Sequence, residues 1–216
     1  MKIAVSKAHF PVTVLGPGRR IGIWLQGCSI RCPDCVSKDT WARDPGKEMD
    51  LDALLAWCRR VAGDGLDGIT LSGGEPFDQP KALTALLKGL QRWRKTLAQP
   101  FDILCYSGYP LATLRRRQAA ILALLDAVIP EPYVDGLPLA HLWRGSANQP
   151  LVPLSPLGEA RYAAYREAPA ADGKRMQVAA DGERIWFIGI PHRGDMAALE
   201  ALCRERGLEL NAVSWR

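Results

Sequence analysis

Arg20-Ile-Gly-Ile-Trp-Leu-Gln-Gly-Cys-Ser-Ile-Arg-Cys-Pro-Asp-Cys35 is an apolar run that leads directly into three cysteines, Cys28, Cys32 and Cys35. Cysteine thiolates are the usual ligands of iron-sulfur clusters, and a 4Fe-4S cluster normally takes four of them. Three closely spaced cysteines with no obvious fourth cysteine ligand would leave one iron of such a cluster open to an exogenous ligand. The pattern therefore predicts a catalytic 4Fe-4S cluster rather than an electron carrier.

Two other interpretations of the cysteines have to be weighed. The spacing of four and then three residues also places three side chains on one face of an α-helix, where buried Cys packs as a small hydrophobe. Pro33 would break such a helix, Gly27 stands at its start, and Arg31 and Asp34 favour an exposed loop. We therefore favour metal binding, with core packing and a disulfide as the alternatives.

Length and composition are typical of an intracellular enzyme of one domain with a small appendage. The chain has 216 residues, enough for a substantial core. Its start, Met1-Lys-Ile-Ala-Val-Ser6, has no apolar h-region, and no apolar stretch approaches the roughly 20 residues that cross a bilayer. We expect a cytoplasmic protein with no membrane partner. Because the cytoplasm disfavours disulfides, we expect Cys58, Cys105 and Cys203 to be ordinary packing residues.

The net charge of +5 comes largely from arginine clusters. We expect these to be solvated faces: Arg19-Arg20, Arg59-Arg60 and Arg115-Arg-Arg117. The sequence has no recognised nucleic-acid motif and no aromatic residues interleaved with the basic ones, so we expect no nucleic-acid partner. An acidic protein surface or a phosphorylated substrate is compatible with this charge.

Strand-like and helix-like segments alternate along the first two thirds of the chain. The patterns predict strands at 20–25, 68–71, 101–106 and 127–129 and helices at 51–61, 80–93 and 111–125. This order indicates an α/β fold with a mainly parallel sheet. Right-handed crossovers would curl the units into an open partial (β/α) barrel, with loops gathered at the carboxyl ends of the strands. The cysteine loop follows the first of these strands, where catalytic groups are expected.

A second motif, Leu71-Ser-Gly-Gly-Glu-Pro76, stands between a predicted strand and a predicted helix. Gly73 and Gly74 allow close approach of the backbone to a ligand, and Glu75 offers a carboxylate for an ammonium group. The alternative is a purely structural role, in which the motif is a strand-to-helix turn and Glu75 is a favourable acid near the start of the helix. Because the motif occurs in the same chain as the three cysteines, we favour ligand binding over a purely structural turn.

Both motifs, in this order, resemble those of the radical S-adenosylmethionine superfamily. The resemblance implies an open partial barrel of that type, in which the three cysteines hold the cluster and S-adenosylmethionine chelates the open iron. It also implies that the cofactor is bound by Gly73, Gly74, Glu75 and Pro76. In the wider superfamily the residue before the third cysteine is often aromatic and lies near the adenine, whereas here it is Asp34.

Further segments between about Lys7 and Leu151 are similar to the small activases of glycyl radical enzymes, such as those that serve anaerobic ribonucleotide reductase. They are Gly16-Pro-Gly18, Trp24-Leu-Gln-Gly-Cys28, Thr40-Trp41, Tyr106-Ser-Gly-Tyr109, Val134-Asp-Gly136 and Arg144-Gly-Ser-Ala-Asn-Gln149. The resemblance implies reductive cleavage of S-adenosylmethionine to a 5'-deoxyadenosyl radical, which takes a hydrogen atom from a glycine of a large partner subunit. Reduced flavodoxin or ferredoxin would be the electron donor, and the chemistry would require anaerobic conditions.

Three more residues in these segments are candidates for cofactor binding. Ser107 follows a predicted strand, and Arg144 and Asn148 belong to a polar loop that could close the cofactor pocket. A plain polar turn is the alternative for that loop.

The chain after Leu151 departs from the activase pattern. We predict a core at 1–151, a Pro- and Ala-rich linker at 152–171 with a short helical piece at 159–166, and a C-terminal unit at 172–216. That unit is predicted to have a hairpin of 176–180 and 184–188 around Asp181-Gly182, a helix at 195–206 and a strand at 208–213. It could extend the sheet, cover its open side or recognise a partner. If it recognises a substrate, the alternative function is radical modification of a peptide or small molecule.

Overall fold

The strands of the computed structural model, which describes residues 1–63, 65–172, 174–182, 184–210 and 212–215, form two sheets. The strands are β1 (Lys2–Val12), β2 (Arg20–Leu25), β3 (Glu48–Asp50), β4 (Gly68–Gly73), β5 (Asp102–Tyr106), β6 (Ala127–Ile129), β7 (Val152–Pro153), β8 (Met176–Ala180) and β9 (Ile185–Gly189). The larger sheet has the order β3-β1-β2-β4-β5-β6-β7, and β8 and β9 pair with each other.

The centre of the larger sheet is parallel. Strands β2, β4, β5 and β6 run parallel, while β1, β3 and β7 are antiparallel to their neighbours. All six residues of β2 and all three of β6 are buried, as expected for parallel strands that are covered on both faces. The edge strands β3 and β7 do not pair with each other, so the sheet is open. The prediction of an open α/β partial barrel is confirmed.

Helices follow the strands nearly as the sequence predicts. They are α1 (Leu51–Ala62), α2 (Pro80–Arg94), α3 (Leu111–Arg117), α4 (Ala119–Leu122), α5 (Pro156–Tyr162) and α6 (Asp195–Glu205). The prediction of one helix over 111–125 is wrong, because Gln118 leaves helical geometry at φ −132° and ψ 24°. This break turns the chain so that Ile121 and Leu122 are buried in the core. No helix in the described ranges is long and apolar enough to span a membrane.

The two faces of the larger sheet contact different parts of the chain. Alternate side chains of β2, such as Ile21 and Ile23, pack in one cluster with residues of α1 and α2. Trp24 points to the opposite face, where it joins Val12, Val14 and Ile188. The second face is therefore covered by the later part of the chain and not by the crossover helices.

The stretch 152–171, predicted as a linker, contributes to this packing. Val152 pairs with Val128 of β6, and α5 begins after Ser155, whose Oγ accepts a hydrogen bond from the Gly158 amide at 3.0 Å. Tyr162, at the end of α5, has no exposed surface. The segment is thus tied to the sheet by strand pairing and burial, while the predicted boundaries between domains stay a prediction.

The C-terminal unit contains the predicted hairpin and helix, but the predicted last strand is not observed. Residues 208–210 and 212–213 belong to no strand, and residue 211 lies outside the described residues. The hairpin packs across the first strand of the sheet: the Gln177 side chain accepts a hydrogen bond from the Thr13 amide at 2.9 Å and donates one to the Pro11 carbonyl at 2.7 Å. These contacts, together with the packing of Ile188 against Val12 and Trp24, agree with a unit that covers one side of the sheet, and the role of the unit stays a prediction.

Arg20 corrects the expectation that the arginine clusters are solvated. Its side chain is fully buried and forms an ion pair with Asp102 at 2.6 Å, and its Nε donates to Thr70 Oγ1 at 2.7 Å. The Tyr162 hydroxyl also donates to Asp102. A buried guanidinium is tolerated here because its charge and its donors are matched within the fold.

Candidate active site

The cysteine loop is closed at its base by the residues that follow β2. Gln26 is buried, and its Nε2 donates to the carbonyls of Asp39 at 3.0 Å and Ala42 at 2.7 Å. The Gly27 amide donates to the Thr40 carbonyl at 2.7 Å. These bonds join the two ends of the loop, so its conformation is set by the end of the strand.

Within the loop the chain turns sharply before two of the cysteines. Arg31 and Asp34 have positive φ angles of 53° and 55°, and each directly precedes a cysteine. Left-handed residues interrupt a right-handed helix, so Cys28, Cys32 and Cys35 do not form a helical stripe. All three are free and partly exposed, which disagrees with both the core-packing and the disulfide interpretations.

The thiols influence one another electrostatically. Burial raises the pKa of Cys28 and of Cys32, and the charges of Cys35 and Cys28 raise the pKa of Cys32 further. Backbone amides act in the opposite direction, that of Arg31 at Cys28 and that of Tyr133 at Cys32. Neighbouring thiolates are costly without a cation, so a bound metal centre would stabilise the charged form of this trio.

This donor set fits a 4Fe-4S cluster. Thiolates are the soft ligands that iron-sulfur clusters require, and the loop offers three of them. In the part of the chain that the structure describes, no three metal-binding side chains converge on the position of a single ion. The fit to a 4Fe-4S cluster therefore rests on the number and the chemistry of the three thiols.

The glycine motif at the end of β4 packs directly against the base of the cysteine loop. The Gly74 amide donates to the Leu25 carbonyl at 2.8 Å, and the Glu75 amide donates to the Gly27 carbonyl at 2.9 Å. A Cβ on Gly74 would lie 2.2 Å from the Gly27 carbonyl oxygen, and one on Gly73, at φ 99°, would lie 2.5 Å from the Leu25 nitrogen. Glycine is required at both positions because any Cβ atom there would collide with the backbone at the end of β2 and the base of the cysteine loop.

We expect Gly74→Ala to destabilise the fold by about 1–3 kcal/mol and to lower the iron content after reconstitution, since the added methyl group pushes the two loops apart. Urea unfolding and iron analysis measure the two effects. Gly46→Ala is the matched control, because a Cβ there meets only the Asp44 side chain, at 3.2 Å. Equal effects of the two substitutions would contradict the prediction.

Glu75 is buried where the ends of β4 and β5 meet. Its side chain accepts hydrogen bonds from Ser107 Oγ at 2.9 Å, the Gly108 amide at 2.7 Å and the Phe77 amide at 3.0 Å. Burial nevertheless raises its pKa to about 7. Pro76 is also buried and begins a short 3-10 helix. The arrangement holds a carboxylate that a cationic ligand would keep ionised.

Two residues shortly after this motif, Asp78 and Gln79, anchor the cysteine loop, and neither is among the site residues predicted from the sequence. Asp78 accepts hydrogen bonds from the amide of Ser29 at 2.7 Å, from its Oγ at 2.9 Å and from the Tyr109 hydroxyl at 2.8 Å. Gln79 Nε2 donates to the Gln26 carbonyl at 3.0 Å. Their only signal in the sequence is that they stand two and three positions after Pro76, the last residue of the Gly-Gly-Glu-Pro motif.

Asn148 acts on the neighbourhood of Cys32 through the backbone. Its Nδ2 donates to the Pro132 carbonyl at 2.9 Å, and its Oδ1 accepts a hydrogen bond from Ser146 Oγ at 2.7 Å. These contacts support the segment that contains Tyr133, whose amide faces the Cys32 thiol. A direct contact between Asn148 and a cofactor stays a prediction.

The Arg144 side chain makes its hydrogen bonds outside the cysteine loop. It is 2% exposed, and its Nη2 donates to the carbonyls of Tyr165 at 2.7 Å and Arg166 at 2.5 Å. Its contacts among the described residues do not include the thiols or Glu75. Cofactor binding by Arg144 therefore stays a prediction that these contacts do not support.

An open α/β sheet with a three-thiol loop at the carboxyl end of its first parallel strand defines a 4Fe-4S protein of the radical S-adenosylmethionine class. In agreement, the sequence profile of the 4Fe-4S single cluster domain matches residues 14–152.

Named relatives specify the class further. The chain is 35% identical over 149 residues to the anaerobic ribonucleoside-triphosphate reductase-activating protein of Vibrio cholerae serotype O1, with 65% of this chain and 92% of that protein covered. The protein of the same name from Escherichia coli (strain K12) is 32% identical over 149 residues, with 65% and 93% covered. The pyruvate formate-lyase-activating enzyme of Clostridium pasteurianum is 40% identical over 80 residues, with 34% and 32% covered. The chain therefore belongs to the family of anaerobic ribonucleoside-triphosphate reductase-activating proteins, within the radical S-adenosylmethionine activase group.

Proposed function

We propose that this chain activates an anaerobic ribonucleotide reductase by abstracting a hydrogen atom from one of its glycines. The observation that carries the proposal is the anchored loop of Cys28, Cys32 and Cys35 beside the buried Glu75. It lies within residues 14–152, the part of the chain that matches the family profile. The names of the relatives support the choice of partner.

The proposed roles of the residues follow from their chemistry. Cys28, Cys32 and Cys35 would hold the cluster through their three thiolates, and S-adenosylmethionine would bind to it. When bound, a reduced cluster would supply the single electron that reductive cleavage of S-adenosylmethionine needs, and this cleavage would provide the abstraction of a hydrogen atom from the glycine of the partner. Gly73 and Gly74 let the backbone approach the cofactor, and the Glu75 carboxylate holds its ammonium group.

The supporting residues keep this arrangement in position. Pro76 begins the turn after Glu75, and Ser107 donates a hydrogen bond to its carboxylate. Asp78 and Gln26 hold the cysteine loop against the ends of the strands. Such a preorganised loop limits the positions that the cofactor can adopt, which is the contribution of a protein to cofactor chemistry.

We predict that the affinity for S-adenosylmethionine falls as the pH is lowered through about 7, by as much as about tenfold per pH unit. Glu75 must be ionised to bind an ammonium group, and its raised pKa means that it takes up a proton in this range. Calorimetric titration of the reconstituted protein between pH 6 and 8 measures the effect. Glu75→Gln should bind more weakly and without this pH dependence, and a flat profile for the unsubstituted protein would contradict the assignment.

The test of the function is anaerobic reconstitution with iron and sulfide, reduction, and incubation with S-adenosylmethionine and the large reductase subunit. The expected result is formation of 5'-deoxyadenosine and, in the same sample, a glycyl radical signal by electron paramagnetic resonance. Cofactor cleavage without a radical on any cognate large subunit would refute the proposed activation. Equal turnover in air and under argon would refute the proposed requirement for an accessible iron.

The electron donor and the compartment are part of the proposal. We infer reduced flavodoxin or ferredoxin as the donor, because cleavage consumes one electron and the described chain carries a single three-thiol loop. We also propose the cytoplasm as its location, since six free cysteines suit a reducing compartment.

A second candidate function rests on the C-terminal unit, which lies beyond the family match. In that case the same radical chemistry would modify a peptide or small molecule that this unit recognises. A mass change in a co-expressed peptide, with no radical on a reductase subunit, would favour this alternative. The full chain is needed for the test, because Ile188 packs with Val12 and Trp24 and truncation would expose them.

A further inference from the structure

A short segment of the C-terminal unit, residues 212–215, lies against the part of the cysteine loop that follows Cys35. The Ser214 Oγ donates a hydrogen bond to the Val36 carbonyl at 3.0 Å, and the Ser214 carbonyl accepts one from the Asp39 amide at 3.2 Å. Val36 is the residue directly after Cys35. Two hydrogen bonds of a single residue therefore join the C-terminal unit to the chain beside one of the three thiols.

The position of Ser214 is set by its neighbour, Trp215. The Trp215 Nε1 donates to Glu200 Oε1 of α6 at 2.5 Å, and its ring meets the Phe187 ring of β9 edge to face, with 6.3 Å between the ring centroids. Both Ser214 and Trp215 are partly buried. The segment is thus attached to α6 and β9 on one side and to the cysteine loop on the other.

The peptide group between Val36 and Ser37 extends this contact to the Cys35 thiol. Its carbonyl accepts the hydrogen bond from Ser214, and its N–H, which points the opposite way in a planar trans peptide, donates to Cys35 Sγ at 3.4 Å. Hydrogen bonds in a chain polarise one another, so a donor on the carbonyl strengthens the N–H as a donor to sulfur. The Ser214 hydroxyl therefore acts on the thiol through one peptide group.

Hydrogen bonds to the cysteine sulfurs are one of the means by which a protein sets the reduction potential of an iron-sulfur cluster, because they stabilise the more negative, reduced state. We propose that Ser214 is a positioning residue, which holds the Val36–Ser37 peptide as a donor to the Cys35 sulfur and thereby makes the cluster easier to reduce. The inference rests on the ligand role proposed above for Cys35. It assigns a part in the chemistry of the loop to a residue beyond the family match, which covers residues 14–152.

The test is a redox titration of the full chain with its cluster reconstituted, followed by the electron paramagnetic resonance signal of the reduced cluster. Ser214→Ala removes the hydroxyl and should shift the midpoint potential to more negative values, so that the ratio of reduced to oxidised cluster at a fixed potential falls at least about twofold. Ser214→Thr keeps the hydroxyl and should keep the potential of the unsubstituted protein. Iron content should be equal in all three proteins, since every cysteine is retained.

Thr84→Val is the matched control. It also removes a hydroxyl that donates to a backbone carbonyl, that of Pro80 at 2.7 Å, but this residue lies on α2 and outside the loop. The potential should be unchanged in this variant. An unshifted potential in Ser214→Ala, or equal shifts in Ser214→Ala and Thr84→Val, would overturn the inference. Failure of Ser214→Ala to take up a cluster would also overturn it, because the residue would then serve the assembly of the loop and not its potential.

Amide hydrogen exchange tests the contact in the full chain before reconstitution. Trp215→Ala removes the attachment to Glu200 and Phe187, so the Asp39 amide, which donates to the Ser214 carbonyl, should exchange faster. The Ile103 amide of β5, which donates to Asp126, should exchange at an unchanged rate. Equal exchange of the Asp39 amide in both proteins would overturn the role of the segment.

Failure of this inference can be distinguished from failure of the proposed function. A protein that takes up no cluster would refute both. A protein that forms a cluster and activates a reductase, but whose potential is the same in Ser214→Ala, would overturn only the role of Ser214. A shifted potential without activation of any reductase would support the role of Ser214 and refute the proposed function.

Discussion

Cys32→Ala should abolish both cluster assembly and cleavage of S-adenosylmethionine. Its thiol is the middle member of the trio, and two remaining cysteines cannot supply the three protein ligands that a site-open 4Fe-4S cluster requires. Iron and sulfide content, the visible absorption of the cluster and 5'-deoxyadenosine formation under anaerobic reduction measure the loss. All three signals should fall to background.

Cys203→Ala is the matched control for this substitution. Cys203 is also a free, partly buried cysteine, but it lies on α6 and outside the loop. Iron content and cleavage should equal those of the unsubstituted protein. Retention of a cleavage-competent cluster in Cys32→Ala, or an equal loss in Cys203→Ala, would remove the basis for assigning the cluster to this loop.

Asp102→Asn should destabilise the fold by about 3–5 kcal/mol, because it leaves the Arg20 guanidinium buried without its counterion. Both side chains have no exposed surface, and their ion pair at 2.6 Å joins β2 to β5. Tyr162 would also lose a charged acceptor, which loosens α5 from the sheet. Urea unfolding followed by far-ultraviolet circular dichroism gives the change in the free energy of unfolding.

The exposed ion pair of Glu159 and Arg166 provides the comparison. Its side chains are 55% and 46% exposed, so solvent screens their attraction, and Glu159→Gln should change stability by less than about 1 kcal/mol. A similar shift of the unfolding midpoint in both variants would show that burial of Arg20 and Asp102 does not govern their interaction.

Several strands and helices can be predicted because their signals are local. Strand β2 is a short apolar run and helix α2 begins with Pro80 in its first turn, so each can be identified from its own residues. The long first strand, β1, was not predicted. It is held by pairing with β2 and β3, and such distant hydrogen bonds leave little trace in the sequence of the strand.

The later part of the chain makes contacts that composition does not predict. Proline and alanine predict a linker at 152–171, and within it Val152 pairs with the sheet and Tyr162 donates to the buried Asp102 carboxylate. The sequence likewise predicts a solvated Arg20, because its partner, Asp102, lies 82 positions away. Burial of a polar residue depends on the group that meets it, and this group is not a neighbour in the sequence.

The sequence by itself determined the chemistry: three cysteines at loop spacing, a Gly-Gly-Glu-Pro turn after a strand, and alternating strand and helix patterns. Each of these patterns is formed by residues a few positions apart, so the spacing and the type of the residues are enough to identify it. Only the tertiary structure decided that Asp78 anchors Ser29, 49 positions before it, that Ser107 bonds Glu75, and that Arg144 bonds the carbonyls of Tyr165 and Arg166. Such contacts depend on how the chain brings distant strand ends together, because a polar side chain takes its role from whichever partner the fold sets within hydrogen-bonding distance.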